Sequence, residues 1–257
     1  MSQLFSIEGK VAVVTGGSRG IGLMIARGMV EAGAKVYISA RKADACNAAA
    51  QQLSALGQCI AIPADVGTEE GCRFLADEVG KREDRLHVLV NNAGANWGAP
   101  MDQYPDSAFD KVFAVNVKGV FNLTRFMVPL LERAASDDDP ARVINIGSID
   151  GLQAPMLDTF AYSSSKAAVH HLTRVLAHKL AAKRITVNAI APGPFESKMM
   201  AETLERFGDS IRATNPLGRI GRPDDMAGTA IFLSSRAGAY LTGTVIPVDG
   251  GISTRHA

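Results

Sequence analysis

Short apolar runs alternate with longer amphipathic stretches along most of the chain. The first five runs are apolar at nearly every position, which is typical of strands buried on both faces of a parallel sheet. The runs that predict strands are Val11–Thr15, Lys35–Ser39, Cys59–Ala64, Val88–Asn91, Arg142–Gly147, Thr186–Ile190 and Thr244–Val248. The stretches between them that predict helices include Ile21–Ala32, Ala43–Leu56 and Glu69–Lys81. This alternation predicts an α/β fold, with a doubly wound parallel sheet of about seven strands covered by helices on both faces.

One segment near the C-terminal end breaks this rhythm. Residues from Pro192 to about Pro223 contain four prolines and four glycines, with a helix-like stretch over Ser197–Phe207. A long excursion between the last strands of a compact domain is often a lid or a binding loop. Since 257 residues fit one large α/β domain, we predict a single domain, 1–257, with a substrate loop near 193–222. Structural padding is the alternative for this loop.

The charge balance of the chain is nearly neutral. Lys and Arg number 27 against 26 for Asp and Glu, which predicts no basic surface for nucleic acid or for an anionic membrane. Neither a signal peptide nor an apolar run of about 18 residues is present, so we predict a cytoplasmic protein. Cys46, Cys59 and Cys72 form no CxxC pair and the histidines have no ligand spacing. Free thiols and no metal site are therefore predicted.

A glycine-rich turn follows the first predicted strand and leads straight into a helix. Its sequence, TGGSRGIG over residues 15–22, combines tight-turn glycines with the free N–H groups and positive dipole of a helix N-terminus. The spacing differs from G-x-G-x-x-G, but the same physics suits a pyrophosphate, so a Rossmann-type dinucleotide site is predicted. Its residues are Gly16, Ser18, Arg19, Gly20, Ile21 and Gly22.

The end of the second predicted strand indicates which dinucleotide is bound. Ile38–Arg41 contains no Asp or Glu to bind a free ribose diol. Arg41 and Arg19 instead provide two guanidinium groups suited to a 2′-phosphate. NADP(H) is therefore predicted in preference to NAD(H); the alternative is that either arginine only caps or solvates a helix end.

Tyr162 and Lys166 lie four residues apart in a strongly helical stretch, so their side chains share one face of the helix. A free phenol has a pKa of about 10 and is a poor base at neutral pH. A neighbouring ammonium group, helped by an oxidised nicotinamide, favours the phenolate. Bringing the pKa to about 7 needs about 4 kcal/mol, after which one residue can serve as both acid and base.

Other polar residues are predicted at the same edge of the sheet. Ser148 follows the fifth predicted strand, and Asn91–Gly94 follows the fourth. Ligands of open α/β sheets sit at the carboxyl ends of the strands, so the Ser148 hydroxyl is placed to hold a substrate oxygen near Tyr162. Asn116 interrupts an apolar helical face over Phe113–Val120, which predicts a packing or hydrogen-bonding role.

Taken in order, these motifs resemble the short-chain dehydrogenase/reductase family over about residues 7–252. Asn116, Ser148, Tyr162 and Lys166 match the catalytic tetrad of that family, and Asn91–Gly94 matches its NNAG motif. Asn188–Gly193 is similar to the segment that orients the nicotinamide, and Ser197 stands where many members have a threonine. The further cofactor-binding residues that the resemblance implies are Asp65, Val66, Asn92, Ala93, Gly94, Tyr162, Lys166, Pro192, Gly193 and Ser197.

The resemblance also implies a role for each catalytic residue. Tyr162 would protonate the carbonyl oxygen as hydride arrives from the nicotinamide. Lys166 would lower the pKa of Tyr162 and bind the nicotinamide ribose, Ser148 would position the carbonyl, and Asn116 would hold a water leading to Lys166. Arg41 would bind the 2′-phosphate. Most members are homotetramers, with the helices near 106–134 and 159–182 between subunits; a homodimer is the alternative.

Within the family, the chain is most similar to the NADPH-dependent 3-oxoacyl reductases of the type associated with rhamnolipid synthesis. The similarity lies in LVNNAGANWGA (89–99), RVINIGS (142–148), a longer loop over 134–141 and a longer interval between Ser148 and Tyr162. Reduction of a 3-oxoacyl thioester or a similar β-carbonyl compound is therefore predicted. The alternatives are a sugar, polyol, steroid or xenobiotic alcohol dehydrogenase and, more remotely, a non-catalytic dinucleotide sensor, which would be expected to lose Tyr162 or Lys166.

A few further residues carry predictions with two readings each. Trp97, the one tryptophan of the chain, either lines the substrate cleft or packs under its loop. The pair Met199 and Met200, and Phe195 nearby, form either an apolar lid or ordinary packing. His170 and His171, which follow Lys166 on the same helix, are predicted to be core or subunit-contact residues.

Overall fold

Seven parallel strands form one sheet in a computed structural model that describes residues 2–197 and 200–254. The strands pair in the order β3-β2-β1-β4-β5-β6-β7, so the chain starts inside the sheet at β1, runs to the β3 edge and then returns to build the other side from β4 to β7. Their bounds are β1 Val11–Thr15, β2 Lys35–Ser39, β3 Cys59–Ala61, β4 Val88–Asn91, β5 Ala141–Ile146, β6 Ile185–Pro192 and β7 Val245–Val248. The predicted fold class is confirmed.

Helices cover both faces of the sheet. They are α1 Ser2–Phe5, α2 Gly20–Glu31, α3 Ala43–Ser54, α4 Glu69–Gly80, α5 Asp106–Phe113, α6 Val120–Ala134, α7 Phe160–Leu180, α8 Ala201–Thr214 and α9 Pro223–Ser234. Buried residues of α2, α3 and α9 form one apolar core with alternate strand residues such as Val14 and Ile38. Residues of α4, α6 and α7 form the second core with the intervening positions, such as Val13 and Leu89. Because both faces are covered, the central strands are buried throughout, as the continuous apolar runs predict.

The predicted strand bounds differ most from the observed ones in β3 and β6. Strand β3 ends at Ala61 rather than Ala64, and Pro63, which has no N–H, lies in the stretch that follows it. The backbone nevertheless stays beside β2, since Ile62 and Ala64 donate to the carbonyls of Ile38 and Ala40. On the other side, β6 is longer than predicted and runs from Ile185 to Pro192.

The excursion between β6 and β7 contains a helix that begins later than predicted, at Ala201, and continues to Thr214 as α8. Of the proposed apolar lid, Met199 lies outside the described residues. Phe195 is buried, with 2% exposure, and its ring fills the space that a side chain at Gly221 would need. Phe195 and Gly221 also form an isolated parallel bridge. Phe195 therefore closes the base of the excursion as a core residue and is not part of a lid.

An ion-pair cluster lies at the end of the sheet where the strands begin. It joins the loop after α6 to that end of the sheet. Lys10 donates to the Asp139 carboxylate at 2.7 Å, and Arg142 donates to it at 3.0 Å. Arg142 is 1% exposed and also donates to the carbonyls of Leu233 and Ser235. One carboxylate thus balances two largely buried cations and fixes the loop.

Several predicted absences can be compared with the described part of the chain. Over residues 2–197 and 200–254, no helix is both long enough and apolar enough to cross a membrane. The same residues contain no group of three or more side chains suited to a metal ion. Cys46, Cys59 and Cys72 are free and buried, and burial raises the pKa of each thiol.

Candidate active site

The carboxyl ends of β1 and β4 are joined by hydrogen bonds from the NNAG turn. The Thr15 hydroxyl accepts from the backbone N–H groups of Asn92 and Ala93, each at 3.0 Å. The Asn92 amide in turn donates to the Thr15 carbonyl at 2.8 Å. The structure therefore brings the glycine turn and the NNAG turn, predicted separately, to the same edge of the sheet.

The glycine turn is a cradle that larger residues would fill. Gly16 has a φ of +66°, and a Cβ placed there would lie 2.6 Å from the Asn92 amide nitrogen. A Cβ at Gly22 would lie 2.3 Å from the same atom. Gly20, with a φ of +54°, begins α2 and faces Ser197, whose Cβ would be 3.2 Å from an added Cβ. Small residues are thus required where the chain must pass close to itself and leave the helix N-terminus accessible.

The start of α2 has free backbone donors and positive charge nearby. Arg19 occupies the N-cap position but makes no capping hydrogen bond with its side chain, so the first-turn N–H groups of α2 are available to a ligand. Arg19 and Arg41 are both exposed. Among the described residues, neither has an ion-pair partner. Both guanidinium groups are therefore available to bind an anion beside the glycine turn.

Of Asp65 and Val66, two of the cofactor-binding residues that the family resemblance implies, one is exposed and one is buried. Asp65 is exposed and accepts from the Gly67 N–H at 3.0 Å. Val66 is 7% exposed, and its carbonyl lies against Gly119, where a Cβ would approach it to 2.3 Å. Asp65 is thus held by its own turn, with its side chain at the surface.

Asn116 occupies a π-helical segment, Ala114–Gly119, between α5 and α6. Its amide oxygen accepts from the Ala95 N–H at 2.8 Å, and its amide nitrogen donates to the Ala95 carbonyl at 3.0 Å. The same nitrogen donates to the Ser165 hydroxyl at 2.9 Å. π-Segments occur frequently at functional sites, and this one turns a buried amide toward the loop after the NNAG turn and toward α7. Ser165 is a site residue that sequence reasoning missed.

Tyr162 and Lys166 share one face of α7, as their spacing predicts. The Lys166 Nζ atom lies 5.4 Å from the centroid of the Tyr162 ring and donates to the Ile146 carbonyl at 2.7 Å. Lys166 is 5% exposed. Ser148 comes two residues after Ile146 and is also buried, so the end of β5 packs directly against the helix face that carries both residues.

The surroundings move the pKa values of the tyrosine and the lysine in opposite directions. Burial raises the pKa of Tyr162 to about 12; the Ser148 side chain lowers it and the Asp150 carboxylate raises it. Burial lowers the pKa of Lys166 to about 8, although the charge of the Asp150 carboxylate acts in the opposite direction and raises it. In the protein alone, the pKa of Tyr162 is therefore raised and not brought toward 7, because burial and the charge of Asp150 outweigh the hydrogen bond with Ser148.

Asp150 was not predicted as a site residue. It lies in the short turn Ile149–Gly151, and its backbone N–H donates to the Ser148 hydroxyl at 3.1 Å. Gly151 packs so closely on α7 that an added Cβ would lie 2.6 Å from the Lys166 carbonyl carbon. A carboxylate two residues after the predicted Ser148 was the available sequence signal.

His170 continues the same helix face, one turn beyond Lys166. It is 3% exposed and neither ring nitrogen meets a described residue in hydrogen-bonding geometry. A Cβ at Gly147 would lie 2.1 Å from its Nε2 atom. Burial lowers the pKa of His170 to about 4, so it is a neutral residue of the interior, whereas His171 is exposed.

Comparison with known proteins places this geometry in a family. A family model described as enoyl-(acyl carrier protein) reductase matches residues 16–253, which include the glycine turn, the NNAG turn and α7. The chain belongs to the short-chain dehydrogenase/reductase family. It is an oxidoreductase of this family, as the motifs predicted.

Individual members of the short-chain dehydrogenase/reductase family are similar over almost their whole length. The rhamnolipids biosynthesis 3-oxoacyl-[acyl-carrier-protein] reductase of Pseudomonas aeruginosa is 51% identical, over 98% of this chain and 99% of that protein. The galactitol 2-dehydrogenase (L-tagatose-forming) of Cereibacter sphaeroides is 37% identical, over 96% of each chain. The solved Pseudomonas aeruginosa RhlG/NADP active-site complex has a TM-score of 0.95 at 50% identity, covering 98% of this chain and 100% of that chain. The predicted resemblance is confirmed.

Proposed function

We propose that this chain is an NADP(H)-dependent reductase that converts the ketone of a 3-oxoacyl thioester, or of a similar β-carbonyl compound, to an alcohol. The observation that carries the proposal is the convergence of Tyr162, Lys166 and Ser148 beside the glycine turn at one edge of the sheet. The sequence and structural similarity to a 3-oxoacyl reductase and to an NADP complex supports the same cofactor and substrate class.

The residues around the glycine turn fit a phosphorylated dinucleotide. Gly16, Gly20 and Gly22 leave room that a side chain would fill, and the uncapped N-terminus of α2 provides donors for a pyrophosphate. Arg19 and Arg41 would bind the 2′-phosphate, since both are exposed and without an ion-pair partner among the described residues. The bound cofactor supplies the hydride that adds to the carbonyl carbon.

Proton transfer is assigned to Tyr162. Because its pKa is raised to about 12, the phenol is protonated at neutral pH and ready to donate to the carbonyl oxygen during reduction. The Ser148 hydroxyl would hold that oxygen, and Lys166, buried behind the phenol, would stabilise the phenolate that remains. Asn116 would fix the loop at Ala95 and the helix at Ser165, around the reacting groups.

The cellular and quaternary setting is part of the proposal. We propose a cytoplasmic homotetramer built from one domain, 1–257, with its substrate loop at 193–222. Three free, buried thiols support a reducing compartment. An apolar surface on α5, the π-segment, α6 and α7 supports subunit contact; it includes Phe113, Val117, Phe121 and Leu172.

The function is tested by steady-state assays with NADPH and NADH against 3-oxoacyl thioesters, diketones, ketosteroids and polyols. We expect the highest kcat/KM with NADPH and a 3-oxoacyl thioester. We expect Tyr162→Phe to lose at least about a hundredfold in kcat while NADPH binding is retained, because only the proton donor is removed.

The matched control is Tyr240→Phe, since Tyr240 is fully exposed, and it should leave both kcat and binding unchanged. Unchanged turnover in Tyr162→Phe would exclude Tyr162 as the proton donor. A clear preference for NADH would contradict the role of Arg41, and a preference for polyols would move the chain to the alcohol dehydrogenases of its family.

A further inference from the structure

Two loop segments with exposed apolar side chains run side by side next to the catalytic residues. The first, which we call the mouth loop, covers residues 95–104 and includes Trp97 and Met101, with 46% and 76% exposure. The second, the rim segment, covers residues 152–158 and includes Met156, which is fully exposed. The Ala99 N–H donates to the Asp158 carbonyl at 3.2 Å, so the two segments are in direct contact.

The mouth loop is anchored at its first residue by the predicted catalytic residue Asn116. The Asn116 amide makes two hydrogen bonds with the backbone of Ala95. Next to it, a Cβ added at Gly94 would be in ordinary contact with the Lys166 Nζ atom, at 3.8 Å. This end of the loop is therefore hydrogen-bonded to Asn116 and lies beside Lys166.

At its last residue the mouth loop is anchored by Tyr104. The Tyr104 hydroxyl donates to the Trp97 carbonyl at 3.2 Å and accepts from the Ala161 N–H at 3.4 Å. Ala161 lies in the first turn of α7, where backbone N–H groups have no partner within the helix. Ala161 also directly precedes Tyr162, so one hydroxyl joins the tryptophan loop to the turn that carries the proton donor.

The ring and the hydroxyl of Tyr104 make separable contributions. The ring packs edge-on against Phe160, with centroids 5.5 Å apart, and against Phe109 at 6.4 Å. A phenylalanine at this position keeps both aromatic contacts and removes only the hydrogen bonds to Trp97 and Ala161. Substitution by phenylalanine therefore releases the mouth loop from α7 with little change in the packing beneath it.

We propose that Tyr104 is a positioning residue, whose hydroxyl holds the mouth loop against α7 so that Trp97 forms one wall for the acyl chain of the substrate. The proposal rests on the 3-oxoacyl reductase function proposed above for the choice of substrate, although the tether itself does not depend on it. Apolar side chains on both segments suit a hydrocarbon chain. The hydrogen bonds of the Tyr104 hydroxyl hold Trp97 at a fixed position relative to Tyr162.

The experiment compares wild type, Tyr104→Phe and the matched control Tyr240→Phe. Since Trp97 is the one tryptophan of the chain, its fluorescence reports directly on the mouth loop. In Tyr104→Phe we expect stronger quenching of Trp97 by acrylamide, with NADPH affinity and melting temperature close to wild type. We expect KM for 3-oxodecanoyl-CoA to rise about two- to tenfold, as the loss of a hydrogen-bonded tether implies, with kcat nearly unchanged.

A second variant, Trp97→Ala, keeps the tether and removes the wall. It should raise KM for 3-oxodecanoyl-CoA but not for 3-oxobutanoyl-CoA, whose acyl chain is too short to contact Trp97. An equal rise for both substrates would overturn the assignment of Trp97 to the acyl chain. Unchanged quenching in Tyr104→Phe, or the same change in Tyr240→Phe, would overturn the tether.

The two proposals can fail separately. If the wild-type protein reduces no 3-oxoacyl thioester, the proposed function is wrong and, with it, the choice of acyl chain. The quenching comparison still decides whether Tyr104 holds the mouth loop, because that measurement needs no substrate.

Discussion

Burial, rather than the nearest opposite charge, is the largest cause of the pKa shifts on the face of α7 that carries Tyr162 and Lys166. Tyr162, Lys166 and His170 follow one another at helical intervals on that face, and burial is the largest cause of the pKa change in all three. The spacing predicts that the side chains share a face, but it carries no information on how much water reaches them. For that reason Tyr162 and Lys166 could be found from the sequence, whereas the direction of the Tyr162 pKa shift in the protein alone and the influence of Asp150 could not.

The buried histidine makes stability depend on pH. The pKa of His170 is lowered from 6.5 to about 4, so between these values the unfolded chain binds a proton that the folded chain does not. The free energy of unfolding therefore falls as pH decreases from 6.5 toward 4, and this group has no effect at higher pH. By pH 4.5 the loss from His170 amounts to about 2–3 kcal/mol.

Urea denaturation at pH 7 and pH 4.5 measures this contribution. We expect the stability difference between the two pH values to be smaller in His170→Gln than in wild type by about 2–3 kcal/mol. His171→Gln provides the matched control because His171 is exposed, and it should follow wild type. Equal pH dependence in all three proteins would show that His170 titrates normally in the folded state.

Elements with strong periodicity are predicted well, and elements defined by local hydrogen bonding are not. The bounds of β1, β2 and β4 match the apolar runs, since burial on both faces leaves a continuous signal. The π-segment Ala114–Gly119 leaves no such signal, because its extra residue per turn is stabilised by the contacts of the folded chain, among them Asn116 with Ala95 and Ser165. The start of α8 at Ala201, rather than at Ser197, likewise leaves no signal in the apolar pattern.

Asp139, in the loop between α6 and β5, pairs with both Lys10 and Arg142, and the contribution of this shared carboxylate to stability can be tested. In Asp139→Asn, the cations of Lys10 and Arg142 lose their common anion while remaining largely buried. We expect the free energy of unfolding to fall by about 2–4 kcal/mol, because leaving buried charges unpaired is costly. Thermal or urea denaturation gives the value.

Asp137→Asn is the matched control in the same loop. Asp137 pairs with Arg184 in a contact that is exposed on both sides, and such pairs contribute about 0–1 kcal/mol. A comparable loss in both variants would mean that Asp139 acts by holding the loop conformation and not by balancing charge.

For the whole molecule, the apolar pattern identifies the class of fold but not the order of the strands or the apolar surface on α5 to α7 that we propose as a subunit contact. A continuous apolar run indicates that a strand is buried on both faces, but it does not show which strands lie beside it in the sheet. The same holds for α5 to α7, where Phe121 is 42% exposed although the surrounding sequence looks like an ordinary amphipathic helix. Residues far apart in sequence contribute to that surface, so the apolar pattern alone does not identify it, although the family resemblance implied subunit contacts by these helices.

The proposed tetramer predicts that a charge on this surface dissociates it. Phe121→Glu should shift the mass measured by light scattering from tetramer toward dimer or monomer, because a carboxylate would be buried without a partner. Leu56→Glu, at a position with 44% exposure beyond the end of α3, is the control and should leave the mass unchanged. A wild-type protein that is monomeric at micromolar concentration would contradict the proposal.

The position of β1 between β2 and β4 has a consequence for the order in which the sheet forms during translation. Strands β1, β2 and β3 can pair as soon as they leave the ribosome, but the other side of β1 waits for β4, which begins at Val88. Elongation adds about 5–20 residues per second, so a half-sheet with an open, apolar edge persists on the order of seconds. Unpaired edges of this kind recruit other strands, and the edge of β4 stays open for longer still, because its other neighbour β5 begins only at Ala141.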